Sequence, residues 1–119
     1  MNQRERFDDR IYQSAADCLN DIRKTTKLSI SDLAKLFGVS RQTIYKWVNS
    51  EGTPNIEQFR LAHVVNNIIY IFKTADVACT PTTLKLKTFN GKSLLDLAAE
   101  NRLSLEHIQS LVSEIKTMN

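Results

Sequence analysis

The twenty residues from Ile30 to Asn49, ISDLAKLFGVSRQTIYKWVN, constrain the fold more than any other stretch of the chain. Leu33, Ala34 and Phe37 fall on one face of a helix, and Ile44, Trp47 and Val48 fall on one face of a second. Between the two stripes, Gly38 stands where the chain must turn sharply, and Val39 is the apolar plug of that turn. Ser29 precedes the first stripe with Asp32 three positions later. In such a pair the hydroxyl takes an orphan backbone N–H and the carboxylate reaches back to the cap residue. Ser40 can cap the second helix in the same manner, with Thr43 a weaker reciprocal partner. The pattern predicts two short helices joined by a tight turn, with local signals and hydrophobic pattern in agreement.

Arg41, Gln42, Thr43, Tyr45 and Lys46 point outward from the second helix. All five can hydrogen-bond to a base edge or a phosphate, and none is acidic. Net charge is only +3, but its distribution is uneven. Met1 to Asp21 carries three arginines against five carboxylates. Ile22 to Asn49 carries Arg23, Lys24, Lys27, Lys35, Arg41 and Lys46 against Asp32 alone. Positive charge concentrated on one helical hairpin is the footprint of a polyanion-binding face, and a solvated surface is the alternative. Arg41 can present two donors to guanine and Gln42 can pair with adenine, while Thr43 or Tyr45 can touch a thymine methyl. Lys46, Lys35 and Lys27 suit phosphates, which fix position without reading sequence.

Elsewhere the chain reads as helix. Phe7, Ile11, Ala15, Cys18, Leu19 and Ile22 predict an amphipathic helix ending near Lys24. Asn55 caps a fourth helix running to about Thr74, whose stretch from Val64 to Phe72 is apolar nearly all round. Such a helix must be covered on more than one side. Two readings stand: a central core helix, or one that is partly core and partly subunit interface. Thr83 to Thr88 alternates as a short half-buried strand does. Pro81 is taken as a helix breaker, and the strand would pair with a symmetry mate or form an extended arm. On the interface reading, Val65, Ile68, Ile69 and Phe72 of the helix and Leu84 and Leu86 of the strand meet a second copy. Ser93 to Asn101 and Ser104 to Thr117 are two further helices.

This last hairpin echoes the first at an offset of 64. Ser29, Asp32, Leu33, Ala34, Ser40, Ile44 and Val48 are answered by Ser93, Asp96, Leu97, Ala98, Ser104, Ile108 and Val112. The outward residues differ, becoming Leu105, Glu106, His107, Gln109 and Ser110. The second hairpin thus keeps the packing without the cations. Either it is a duplicate, or two capped helical hairpins share the same packing grammar.

The run from Leu28 to Val65 resembles the Cro/repressor-type (XRE) helix-turn-helix. The shared marks are Ala34, Gly38, Val39, Ile44 and Trp47, Asn49 ahead of a Gly-containing loop, and Pro54 before the next helix. The resemblance implies a domain of four or five helices that binds double-stranded DNA operators as a dimer and usually represses transcription. It places Arg41, Gln42, Thr43 and Tyr45 at base edges, with Ser40, Lys46 and Asn49 near the backbone. Two copies about 34 Å apart would read an inverted repeat. The run FNGKSLLDL, from Phe89 to Leu97, resembles the partner-binding region of some antitoxin repressors. An alternative function follows from it: an antitoxin or other interaction protein whose C-terminal hairpin binds a protein partner.

The sequence thus predicts an all-α fold. Residues 1–75 form a helix-turn-helix domain of about four helices, and residues 76–119 form a helical hairpin region for dimerisation or partner binding. No enzyme, cofactor or metal is expected, since no nucleophile motif, phosphate loop or Cys/His cluster is present. Cys18 and Cys79 read as reduced, packed thiols. No apolar run suits a membrane span or a signal peptide, which points to the cytoplasm.

Overall fold

Short polar side chains set where the helices begin. In this computed structural model, which describes residues 14–118, Ser14, Ser29, Ser40, Asn55, Thr80 and Ser93 each accept the backbone N–H three residues ahead. They open α1 (Ala15–Thr26), α2 (Ile30–Phe37), α3 (Arg41–Val48), α4 (Ile56–Thr74), α5 (Pro81–Leu84) and α6 (Leu94–Ala99). The last helix, α7 (Leu105–Met118), starts with a reciprocal pair. The His107 N–H donates to Ser104 Oγ, and the Ser104 N–H donates to His107 Nδ1. The fold is all-α, with no β-strand among the described residues.

Turns are as well specified as starts. The Thr26 hydroxyl, fully buried, donates to the Ile22 carbonyl and accepts the Leu28 N–H, while Lys27 adopts a left-handed backbone. This closes α1 two residues beyond the expected end near Lys24. Phe7 and Ile11, the expected first turns of that helix, lie outside the described residues. Gly38 ends α2 at φ +70°, and the Val39 N–H reaches back to the Ala34 carbonyl. That closure needs a left-handed residue, which glycine supplies without steric cost.

One continuous core joins these elements. Cys18, Leu19 and Ile22 of α1, Leu33 and Phe37 of α2, and Ile44 and Trp47 of α3 pack with Ala62, Val65, Ile68 and Phe72 of α4. Leu84, Leu94, Leu95, Ile108, Leu111 and Val112 belong to the same cluster. α1 packs on α3 and α4, α2 on α3 and α6, and α4 on α6 and α7. The long apolar helix is therefore covered from two sides by its own chain.

Two expectations are corrected by this packing. Val65, Ile68, Phe72 and Leu84 have no exposed surface within the single chain. They fill the core and present nothing to a second copy. Ile69 is partly buried against the same core, and only Leu86 of the expected interface set is exposed. The expected strand is instead a single helical turn and an irregular stretch. Pro81 does not break this helix but starts it, at a position where a missing N–H costs nothing. A lone antiparallel bridge between Phe89 and Lys92 closes the turn through Asn90 and Gly91.

The second hairpin also departs from the first. In α2 the left-handed Gly38 lies two residues before the next cap. After α6 that role falls to Asn101, at φ +58°, three residues before Ser104. The left-handed residue thus stands one position further from the cap, so the offset of 64 preserves the caps and buried positions but not the turn itself.

Candidate nucleic-acid interface

The proposed reading head is α3, eight residues held by what it buries. Ile44 is fully buried and Trp47 nearly so, with the indole edge-on to Phe37 at a centroid distance of 5.7 Å. At its N-terminus, Ser40 Oγ accepts the Thr43 N–H at 3.1 Å. At its C-terminus, the Glu51 N–H returns to the Lys46 carbonyl and Ser50 takes a left-handed backbone. The Asn20 amide of α1 donates to the Val48 carbonyl at 3.4 Å, tying that end to the helix beneath. Both ends and the inner face are fixed, which is what a rigid reading surface requires.

The opposite face is open. Arg41, Gln42, Tyr45 and Lys46 are exposed, Tyr45 by 53% of its surface. Arg41 with Tyr45, and Gln42 with Lys46, are one helical turn apart and so lie side by side along the axis. Among the described residues neither Arg41 nor Lys46 forms an ion pair, whereas Lys85, Lys87, Lys92, Arg60 and Arg102 all do. Thr43 differs from its neighbours: it is half-buried, and its hydroxyl shares a 3.0 Å hydrogen bond with Ser40 Oγ. Its oxygen belongs first to the helix cap. Ser40 and Asn49 are exposed at the two ends of α3.

The remaining candidate cations are dispersed. Lys27 is exposed at the end of α1. Lys35 is exposed on the last turn of α2. It lines an open cavity of about 380 Å³ with Glu57 and Arg60 of α4, and no residue of α3 lines it.

The structure adds a residue that the sequence reading passed over. Lys85, the C-cap of α5, places its ammonium group 3.1 Å from Asp32 Oδ1. Burial raises the Asp32 carboxyl, but hydrogen bonds from the Ser29 N–H and Lys85 outweigh it and hold the group below its ordinary range. The one sign of this in the sequence was Asp32 itself, a single carboxylate within a basic stretch.

Neither thiol is set up as a nucleophile. Burial raises both, Cys79 to about 12, and Cys18 accepts a hydrogen bond from the Asn66 amide. Among the described residues there is no cluster of three metal-ligating side chains, and no helix is long and apolar enough to cross a membrane.

No curated protein and no solved structure matches the chain. A family model described as helix-turn-helix matches residues 19–62, from within α1 through α2 and α3 into α4. This is the four-helix unit that carries the exposed basic face. Over this segment, well under half of its length, the chain is similar to helix-turn-helix proteins, which supports a Cro/repressor-type (XRE) hairpin here.

Proposed function

We propose that the protein is a sequence-specific transcriptional repressor that binds an inverted-repeat operator as a homodimer. The helix-turn-helix match over residues 19–62 supports a DNA-binding regulator generally; the operator, the sign of regulation and the pairing are the proposal. The observation that carries it is the outer face of α3. There Arg41, Gln42, Tyr45 and Lys46 stand exposed on a helix whose inner face and ends are fixed. An exposed arginine and glutamine on adjacent positions suit bidentate contacts to guanine and adenine. One such helix spans only a few base pairs, and two copies related by a two-fold axis double the site. The pairing draws on apolar side chains that the core leaves at the surface, among them Tyr70, Leu86 and Leu105.

Selection of random duplexes by the purified protein, followed by footprinting, tests this reading. The expected result is an inverted repeat with half-sites about one helical turn apart. Arg41→Ala and Gln42→Ala are each expected to cost about 1–3 kcal/mol on that site and to relax the preference at one base position. Equal binding to all duplexes at near-physiological salt would refute it.

A further inference from the structure

Asp32 has a structural task that keeps it ionised on the first helix of the hairpin. Its Oδ2 accepts the Ser29 N–H at 3.2 Å while Ser29 Oγ accepts the Asp32 N–H, a complete capping box. It is also the only carboxylate between Ile22 and Asn49. In a helix-turn-helix the first helix crosses the phosphate backbone. An uncompensated carboxylate there would repel what the rest of the segment attracts.

The second carboxylate oxygen is where Lys85 arrives, from 53 residues away in the chain. Its approach is built into the fold. Thr80 caps α5, Pro81 starts it, and Leu84 is fully buried as its anchor, so the next residue emerges beside α2. Lys87 and Lys92 pair within the C-terminal region, with Asp96 and Glu100. Among the described residues, Lys85–Asp32 is the ion pair that joins that region to the helix-turn-helix. The two side chains are 51% and 21% exposed, a setting in which an ion pair adds little to stability but still shapes the field over a Debye length.

We propose that Lys85 is a positioning residue for DNA binding, which cancels the charge of Asp32 and so keeps the backbone-crossing helix attractive to phosphate. This rests on the DNA-binding reading above but does not depend on sequence selectivity, because the effect is on phosphate rather than on bases.

The test is fluorescence anisotropy of the full-length protein on the selected duplex and on a scrambled one. Each is titrated across a salt series, with a thermal melt of every variant. Lys85→Ala is expected to weaken binding to both duplexes about fivefold at low salt, with the loss shrinking as salt rises. Lys85→Arg retains wild-type affinity. Asp32→Asn keeps a cap acceptor and removes the charge, so the double variant Lys85→Ala, Asp32→Asn regains wild-type affinity. Asp32→Asn alone binds at least as tightly as wild type, which tests the proposal even if Lys85→Ala unfolds. Wild-type affinity in a folded Lys85→Ala would overturn it. So would a double variant as weak as the single one, which would make Lys85 a direct phosphate ligand. If wild type binds both duplexes equally, the operator reading fails, and the scrambled duplex still decides the role of Lys85.

Discussion

Single carboxylates carry two tasks at once in this chain. Asp96 opens α6 as Asp32 opens α2: its Oδ2 accepts the Ser93 N–H at 2.9 Å and the Lys87 ammonium at 2.7 Å. The lysine contact chiefly, and the Ser93 N–H next, draw its carboxyl from 3.8 to about 2. A carboxyl lowered in the folded state contributes stability above its unfolded pKa and loses it as pH falls through the folded value. The contribution of Asp96 is therefore complete above about pH 4 and fades towards pH 2. Because the pair is at the surface, its size is about 1 kcal/mol or less. Urea midpoints taken at pH 5 and pH 2.5 are expected to fall further for wild type than for Asp96→Asn. Equal falls would show that the pair contributes nothing to folding.

At the scale of elements, α3 depends most on its first turn. Arg41 and Gln42 occupy that turn, and Ser40 Oγ accepts the Thr43 N–H and shares a hydrogen bond with the Thr43 hydroxyl. Ser40→Ala is expected to cost about 1 kcal/mol of stability. It should also speed amide exchange at residues 42–44 and weaken DNA binding more than the stability loss alone explains. Unchanged exchange there would mean that packing of Ile44 and Trp47 fixes the helix unaided. The same locality is why this hairpin was legible in the sequence. Its caps, its Gly38 turn and its apolar stripes are each written within four residues. The exposed positions of Arg41, Gln42, Tyr45 and Lys46 follow from the phase of those stripes, and the Thr43 hydroxyl, drawn into the cap, follows from the capping pattern at Ser40. The stretch from Thr83 to Thr88 was misread as a strand for a related reason. Alternation over six residues fits a strand, but one buried residue per helical turn fits it as well. Leu84 has a place in the core while Leu86 stays 43% exposed, so the tertiary demand decides. The contact between Lys85 and Asp32 spans 53 residues, and no local pattern encodes it.

Over the whole molecule, the apolar excess of α4 was legible in amount, while its destination, core or subunit interface, stayed open in the sequence. Hydropathy shows how much of a helix must be covered, not which chain covers it. Here α1 covers one side and α6 and α7 the other, so Val65, Ile68 and Phe72 are sealed within one chain. Lys85 and Lys87, two residues apart, each hold the capping carboxylate of a different hairpin. A core shared in this way makes the position of α3, the proposed reading head, depend on residues far from it. Leu111 of α7 is 1% exposed and belongs to the cluster that includes Trp47 of α3. Leu111→Ala removes most of a buried side chain, at a cost of about 2–5 kcal/mol, a large share of the ~5–15 kcal/mol that holds a domain this size. The single tryptophan gives a direct readout, because Trp47 reports α3 while far-UV circular dichroism reports all the helices. In wild type the two signals are expected to unfold at one urea midpoint, and in Leu111→Ala both shift together to lower urea. If Leu111→Ala moved the circular dichroism transition and left Trp47 in place, the C-terminal helices would fold as a separate unit. DNA affinity would then be independent of them. Coincident shifts instead make α7 part of the scaffold on which α3 is presented.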